Sequence, residues 1–276
     1  MTLSAVSHAE TAAPLAALLP ARRGVAWTVG PAPYGIRPNV ATSRLTNGRH
    51  ALIVVEQAGR IEVYADRPDM FPVHPDVTVD ATDPAAVVTL ADRVMISVLP
   101  DLDGDESRET GRTKGWDQVL TDRWAELAEV GYELIRLGSS VITTTGVNGP
   151  GLTWQTRGGD TWELGVYGLS RDIALTYHGP VSGLYAFLSV VGSPYAGHAE
   201  DHAGSVFTRY LTDRFPWLRA VDAHEVHFGA RRSPSGWIAL PSTDEPADRA
   251  DDTRRVVAQI DGLGADLLLT TATHLV

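Results

Sequence analysis

Turn and stop signals recur at short intervals along this chain, which carries 26 glycines and 17 prolines in 276 residues. They cut the apolar residues into pieces of strand or short-helix length. The longest apolar runs, such as residues 51–55 and 94–96, fall far short of the roughly 20 residues that span a bilayer. The pattern predicts many short elements and no membrane crossing.

In the first half, residues 25–29 and 41–45 read as strands. Asn47-Gly48 then supplies the pair that a type I′ hairpin turn demands, because both central residues need positive φ. Residues 50–56 continue as an apolar strand, 57–59 turn, and 60–65 alternate with Ile61, Val63 and Ala65 on one face. This is an antiparallel meander. The Pro-rich stretch 67–75 cannot extend the ladder, and 77–80 form one more strand. Asp83 is an N-cap with Pro84 at the permitted first position, and Val87, Val88, Ala91, Val94, Met95 and Val98 recur at helical spacing until Pro100 ends the helix. Residues 101–115 are polar and read as an exposed connection. Residues 116–137 form the clearest helix, with Trp116, Leu120, Trp124, Leu127, Gly131 and Leu134 on one face. Gly131 there predicts close packing.

The second half repeats the theme. Residues 140–144 and 152–157 read as strands around Asn148-Gly149-Pro150-Gly151, and Gly158-Gly159-Asp160 turns the chain into 161–167. Residues 173–177 alternate likewise. Pro180 opens a helix carrying Val181, Leu184, Tyr185, Leu188 and Val191, and 203–215 form another. Residues 224–229 and 237–240 read as a hairpin, 250–260 as a helix and 265–272 as a last apolar strand.

These elements define an α+β protein of two similar lobes, each an antiparallel sheet covered by helices. The expected divisions are an N-terminal helical segment at 1–20, a first lobe at 21–115, a connecting helix at 116–138 and a second lobe at 139–276. Strand, turn, proline and helix follow one another in both lobes, at 77–84 and at 173–180. A divergent duplication of a βββα unit would explain this; so would the common use of proline to open a helix.

Composition narrows the chemistry. There is no cysteine, which excludes disulfides, thiolate metal sites and thiol nucleophiles. The absence of basic residues before the short apolar stretch 14–19 is unlike a secretory signal, so a cytoplasmic protein is expected. Lys114 is the sole lysine beside many arginines, a habit of GC-rich bacterial genomes. The net charge is −11, and paired basic residues occur only at 22–23, 231–232 and 254–255. That disfavours general nucleic-acid binding, which needs a basic stripe to displace phosphate counterions, and adhesion to anionic membrane.

Catalytic signatures are missing from the sequence. There is no phosphate loop, dinucleotide fingerprint or His-Glu-x-x-His run. Ser170 sits in Gly168-Leu-Ser170-Arg-Asp172, which ends in Asp where a nucleophile elbow needs Gly. Asp101, Asp103 and Asp105 imitate the start of a calcium loop, but Glu106 replaces its turn-forming Gly and Arg112 its bidentate acid. A solvated acidic loop is the expectation. The remaining candidate metal site is histidine-based: His198 and His202 four apart with Asp201 between them, and His224 and His227 around Glu225, with Asp222 and His178 nearby. Neutral imidazoles plus a carboxylate suit zinc or another divalent ion that could activate a water. On a strand, however, His224 and His227 would face opposite ways. Candidate partner contacts are Arg157 and Asp160 at a hairpin tip and Arg231, Arg232 and Trp237 in and after a loop. Trp154, Trp162, Tyr167, Tyr177 and Tyr185 read as core between sheet and helix.

The leading reading is a non-enzymatic intracellular bacterial binding protein with no cofactor: an adaptor, an immunity-type factor or a subunit of a larger assembly, with a protein partner. The alternative is a metal-dependent hydrolase using the 198–227 region. A small-molecule sensor is a third class.

Overall fold

The computed structural model describes residues 9–33, 40–67, 73–146, 149–166, 173–192, 204–229 and 234–276. The chain divides into two compact units, Met1–Glu106 and Ser107–Val276, and contains two antiparallel sheets of five and eight strands with helices. It is an α+β protein. No helix among the described residues is long and apolar enough to cross a membrane.

In the first unit, α1 (Ala12–Leu18) precedes β1 (Thr28–Pro31), β2 (Ala41–Thr46), β3 (Ala51–Gln57), β4 (Arg60–Ala65) and β5 (Val77–Asp80). These strands follow one another across the sheet in chain order. The central strand β3 is apolar on both faces because both are covered: Leu52, Ile53, Val54 and Val55 are all buried. Ile53, Val55 and Tyr64 form one cluster with Ala32 and Val40. On the other face, Ser43 Oγ accepts from Ala9 N–H at 3.0 Å and Glu56 Oε1 from Thr11 N–H at 2.6 Å, which fixes the entry to α1.

The type I′ turn is one hairpin further on than the sequence suggests. Asn47 and Gly48 belong to a four-residue connection in which the Asn47 side chain accepts from the N–H groups of Arg49 and His50, and only Gly48 has positive φ. Asparagine's bonding to the backbone two and three residues on replaces its tolerance of positive φ. The two-residue turn is Ala58-Gly59, with φ of 46° and 76°, between the paired Gln57 and Arg60. An L-residue in that region is strained by about 1–2 kcal/mol. Ala58→Gly is therefore expected to raise stability by up to about 1 kcal/mol, part of the relief being offset by a freer unfolded chain. A denaturation midpoint that falls instead would contradict this turn.

Helix α2 (Ala86–Arg93) leads into a π turn at Val94–Val98, in which Leu99 N–H reaches back to Val94 O. Helix α3 (Leu99–Thr113) follows directly. Pro100 does not end the helix. It lies directly after the π turn inside a continuous helical stretch, and that wider turn is where a helix accommodates the missing N–H and the ring of a proline. The expected exposed connection at 101–115 is thus largely helical, with Leu102, Asp103 and Thr110 buried. The division between units falls inside α3.

The second unit opens with α4 (Trp116–Arg136) and continues through β6 (Ile142–Gly146), β7 (Gly149–Gln155), β8 (Thr161–Val166) and β9 (Ile173–Pro180). A short 3₁₀ turn, Val181–Leu184, precedes α5 (Tyr185–Val191) and α6 (Val206–Arg214). Then come β10 (Arg219–Ala220), β11 (Glu225–Phe228), β12 (Ser235–Ala239), β13 (Arg255–Leu263) and α7 (Ala265–Thr271). Two meanders, β6 to β9 and β10 to β13, join edge to edge through antiparallel β9 and β13.

Three expectations change here. The stretch 250–260 is not a helix: Val256, Ala258 and Ile260 are buried at strand period in β13. The stretch 265–272 is helical rather than a strand, because an apolar run this short has no distinguishing period. The N-terminal half of α4 buries Val119, Arg123 and Glu126 and leaves Trp116 49% exposed. Arg123 and Glu126 pair at 2.8 Å, so two charges occupy a face that hydrophobicity alone would not select. Gly131 packs as expected: a Cβ there would stand 3.2 Å from Leu152.

β3, β4, β5 and α2 are matched in order by β7, β8, β9 and α5. Consecutive antiparallel strands are the simplest sheet order, and β9 pairs onward with β13 whereas β5 is an edge. The match does not establish a duplication.

Candidate ligand cavity

The hairpin β7–β8 closes through residues 156–160. Thr156 N–H donates to Asp160 O at 3.0 Å and Gly159 N–H to Thr156 O at 3.0 Å, with Gly159 at φ 84°. This tight loop holds Asp160 at the start of β8, and strand pairing then sets three aromatics side by side. Trp162 faces Trp154 on β7 and Tyr177 on β9. The Trp154 and Trp162 rings stack at 6.4 Å between centroids. Tyr177 tilts against Trp162 at 4.4 Å, and Phe187 from α5 meets its ring edge-on at 6.3 Å. All four residues are buried.

The polar atoms of this cluster are satisfied unequally. Trp154 Nε1–H donates to Leu275 O at 2.7 Å. Tyr177 O–H donates to Pro180 O at 2.6 Å. Burial, reinforced by the neighbouring Asp160 carboxylate, pushes the Tyr177 phenol far above its usual range, with Arg255 opposing weakly; it stays protonated and acts as a donor. By contrast Trp162 Nε1 and Asp160 Oδ1 are buried and have no hydrogen-bond partner among the described residues. Each such atom costs about 1–3 kcal/mol if left unmade.

Both residues line one cavity of about 460 Å³, a volume in the range of small-molecule sites. Its walls are the hairpin tip at Gln155, Arg157 and Asp160, the end of α4 at Leu137 and Ser139, Gly183 and His274. Gly183 is bare for a reason: a Cβ would lie 2.2 Å from Tyr177 Oη and 2.7 Å from Asp160 Oδ2. The ring surface of Trp162 is taken by its aromatic neighbours, and its indole N–H is closed to solvent as well.

Of the residues singled out from the sequence, Arg157 and Asp160 line this cavity. Trp237 is half-buried on β12 opposite His227. His198, Asp201, His202, Arg231 and Arg232 lie outside the described residues, as does Ser170. His224 directs its ring to Glu245 O at 3.1 Å and its N–H to Asp222, while His227 bonds Glu225 beside it on the strand. His178 is exposed on β9. These described histidines share no group of metal-ligand geometry.

One grouping with that geometry does occur among the described residues, in the first unit: His50, Asp103 and Glu106 offer ligand atoms within 4.8 Å of one another. Its carboxylates are already engaged by cations. Asp103 bonds His50 at 2.8 Å and Arg49 at 3.1 Å, with Arg22 at 3.9 Å, and Glu106 bonds Arg49. A divalent ion would have to displace two guanidinium groups. The acidic stretch therefore does not stand free in solvent: Asp103 is 3% exposed, and Asp105 bonds Arg67 at 2.9 Å.

Comparison with protein-family models, curated proteins and solved structures gives no significant match to any of them.

Proposed function

We propose that the protein is a non-enzymatic binding protein whose site is the cavity at the β7–β8 hairpin tip, and that its ligand is a small polar molecule. One observation carries this reading: Arg157 and Asp160 line a cavity of ligand size, and beside it a buried donor, Trp162 Nε1, and a buried acceptor, Asp160 Oδ1, both lack partners among the described residues. Both atoms are closed to solvent in this structure, so a ligand completes them only if the hairpin tip shifts as it enters. Lack of cysteine and the arginine-rich composition are in keeping with a bacterial cytoplasmic accessory protein, and a larger assembly could still recruit it through a protein partner.

The test is a thermal-shift screen of small polar compounds against the wild type and Asp160→Asn. A true ligand at 100 times its Kd adds about 2.7 kcal/mol to wild-type stability, and the variant should respond at least about tenfold less sensitively, as expected for loss of a charge-assisted hydrogen bond. Compounds that stabilise both proteins equally, or none that stabilise either, would overturn the reading.

A further inference from the structure

An outer strand carries N–H and C=O groups that no neighbour has taken, so its edge decides what a sheet can join. Three edges of the two sheets are blunted: β1 ends in Pro31, β5 has four residues and closes on Asp80, and β10 has two residues. β6 is different. It is the last strand of the eight-stranded sheet, runs for five residues and carries neither charge nor proline. Its pairing with β7 fixes which way its backbone faces. Thr145 stands opposite Pro150, which has no N–H, so that pair is of the non-hydrogen-bonded kind. Alternation puts the pair of Thr143 and Leu152 in the same class. The N–H and C=O groups of Thr143 and Thr145 therefore point away from β7, and no backbone group meets them among the described residues.

Helix α4 runs beside the same edge. A Cβ on Gly131 would stand 3.2 Å from Leu152 and 3.9 Å from Val141, the residue before β6. Ile135 lies one turn beyond Gly131, and Trp124, Ala128 and Tyr132 follow at four-residue steps on that side of the helix. Tyr132 is 73% exposed, Ile135 52% and Ile142 63%, and Thr143, Thr144 and Thr145 are exposed as well. Strand edge and helix flank thus make one uncharged surface on a chain of net charge −11. A basic partner drawn by the net charge would need acidic side chains to meet, and this patch has none. A second copy, equally acidic, approaches with least repulsion where neither surface is charged. An antiparallel strand pair is also its own complement under a two-fold axis.

We propose that the protein forms a homodimer through β6. A two-fold axis at Thr144 pairs Thr143 with Thr145 of the second copy, which exchange both backbone hydrogen bonds, and sets the two Thr144 residues opposite each other as a non-hydrogen-bonded pair. The two eight-stranded sheets become one, and the threonines gain cross-strand partners. The α4 flanks meet over the joint, with Tyr132 and Ile135 against their counterparts.

Sedimentation velocity of the full chain should show a dimer that dissociates on dilution through the micromolar range. Tyr132→Glu places a charge on each side of the axis at a position exposed in the single chain, and should weaken the dimer at least about tenfold with an unchanged circular-dichroism spectrum. Thr143→Pro removes an outward N–H and no bond to β7, and should abolish the dimer. Because the chain has no cysteine, Thr144→Cys introduces a single reporter. Non-hydrogen-bonded partners have Cα atoms about 4.5 Å apart, within reach of a disulfide, so mild oxidation should link two chains. Val88→Cys, exposed on α2, should stay unlinked. A chain that remains monomeric at about 100 µM, its edge left for a strand of an unlike partner, would overturn the proposal. So would a dimer that survives both Tyr132→Glu and Thr143→Pro.

Discussion

Replacing Asp103 by alanine is expected to cost about 3–5 kcal/mol of stability, the effect of breaking a buried ion cluster by removing one partner. The carboxylate is 3% exposed and is the common partner of His50, Arg49 and Arg22. Without it, buried positive charge loses its principal compensation. The same cluster gives the protein an acid-sensitive component. Desolvation is the largest single influence on Asp103 and raises its pKa. The His50 hydrogen bond and the charges of Arg49, His50 and Arg22 together outweigh it and hold the group below the ordinary value of 3.8. A carboxyl depressed in the folded state contributes stability that is fully present above its unfolded pKa and is lost as pH falls through the folded value. Wild-type stability should therefore drop below about pH 4 in part through this group, and Asp103→Ala should lack that component while starting lower at neutral pH. Denaturant unfolding at neutral and acid pH measures both. A variant within 1 kcal/mol of wild type at pH 7 would mean that the cluster is far weaker than its burial implies.

Asp103 also shows what a local sequence pattern leaves out. The strands of the first sheet were legible because their alternation is local: Ile61, Val63 and Ala65 share one buried face, although the opposite face, with Glu62 and Tyr64, is buried as well and the alternation gave no sign of that. The fate of residues 101–115 depends on His50 and Arg49, some fifty positions earlier, and an acidic stretch with no visible partner reads as solvated. In α4 the half that packs by apolar contact, through Leu127, Gly131 and Leu134, was readable, whereas the half that buries the Arg123–Glu126 pair was not. In β13, alternation at Val256, Ala258 and Ile260 was present in the sequence but was overridden by the helix-forming look of the surrounding residues. The cavity shows the same limit. Turn chemistry drew attention to Arg157 and Asp160, since Gly158-Gly159 marks a hairpin tip. Nothing local distinguishes Trp162 from Trp154. The difference is a carbonyl that comes from Leu275, 121 residues beyond Trp154, and reaches only one of the two indoles. Gly183 likewise gave no signal, because what it avoids is the Tyr177 hydroxyl and the Asp160 carboxylate, brought to it by β9 and by the hairpin loop.

That inequality between the two tryptophans sets up the second large effect. Trp162→Ala should cost about 3–5 kcal/mol, as expected for emptying a fully buried aromatic site, since Trp162 is 1% exposed and touches the rings of Trp154, Tyr177 and Phe187. The informative comparison is with the two conservative changes. Trp154→Phe and Trp162→Phe trim the same atoms from rings of equal burial, so their packing losses should be alike. They differ in the N–H. Trp154→Phe leaves Leu275 O without its donor, and an abandoned buried partner costs about 1–3 kcal/mol. Trp162→Phe removes a donor that has no partner among the described residues, so no such penalty is incurred and a small desolvation cost is relieved. In the ligand-free protein Trp154→Phe should accordingly be the more damaging of the two by about 1–3 kcal/mol. Adding a ligand of the cavity should reverse the ranking of function: Trp154→Phe should keep its affinity, and Trp162→Phe should lose it. Equal destabilisation by the two phenylalanine variants would show that Trp162 Nε1–H is bonded in the folded protein, by a water held as firmly as Leu275 O holds Trp154, and would remove the vacancy on which a ligand depends.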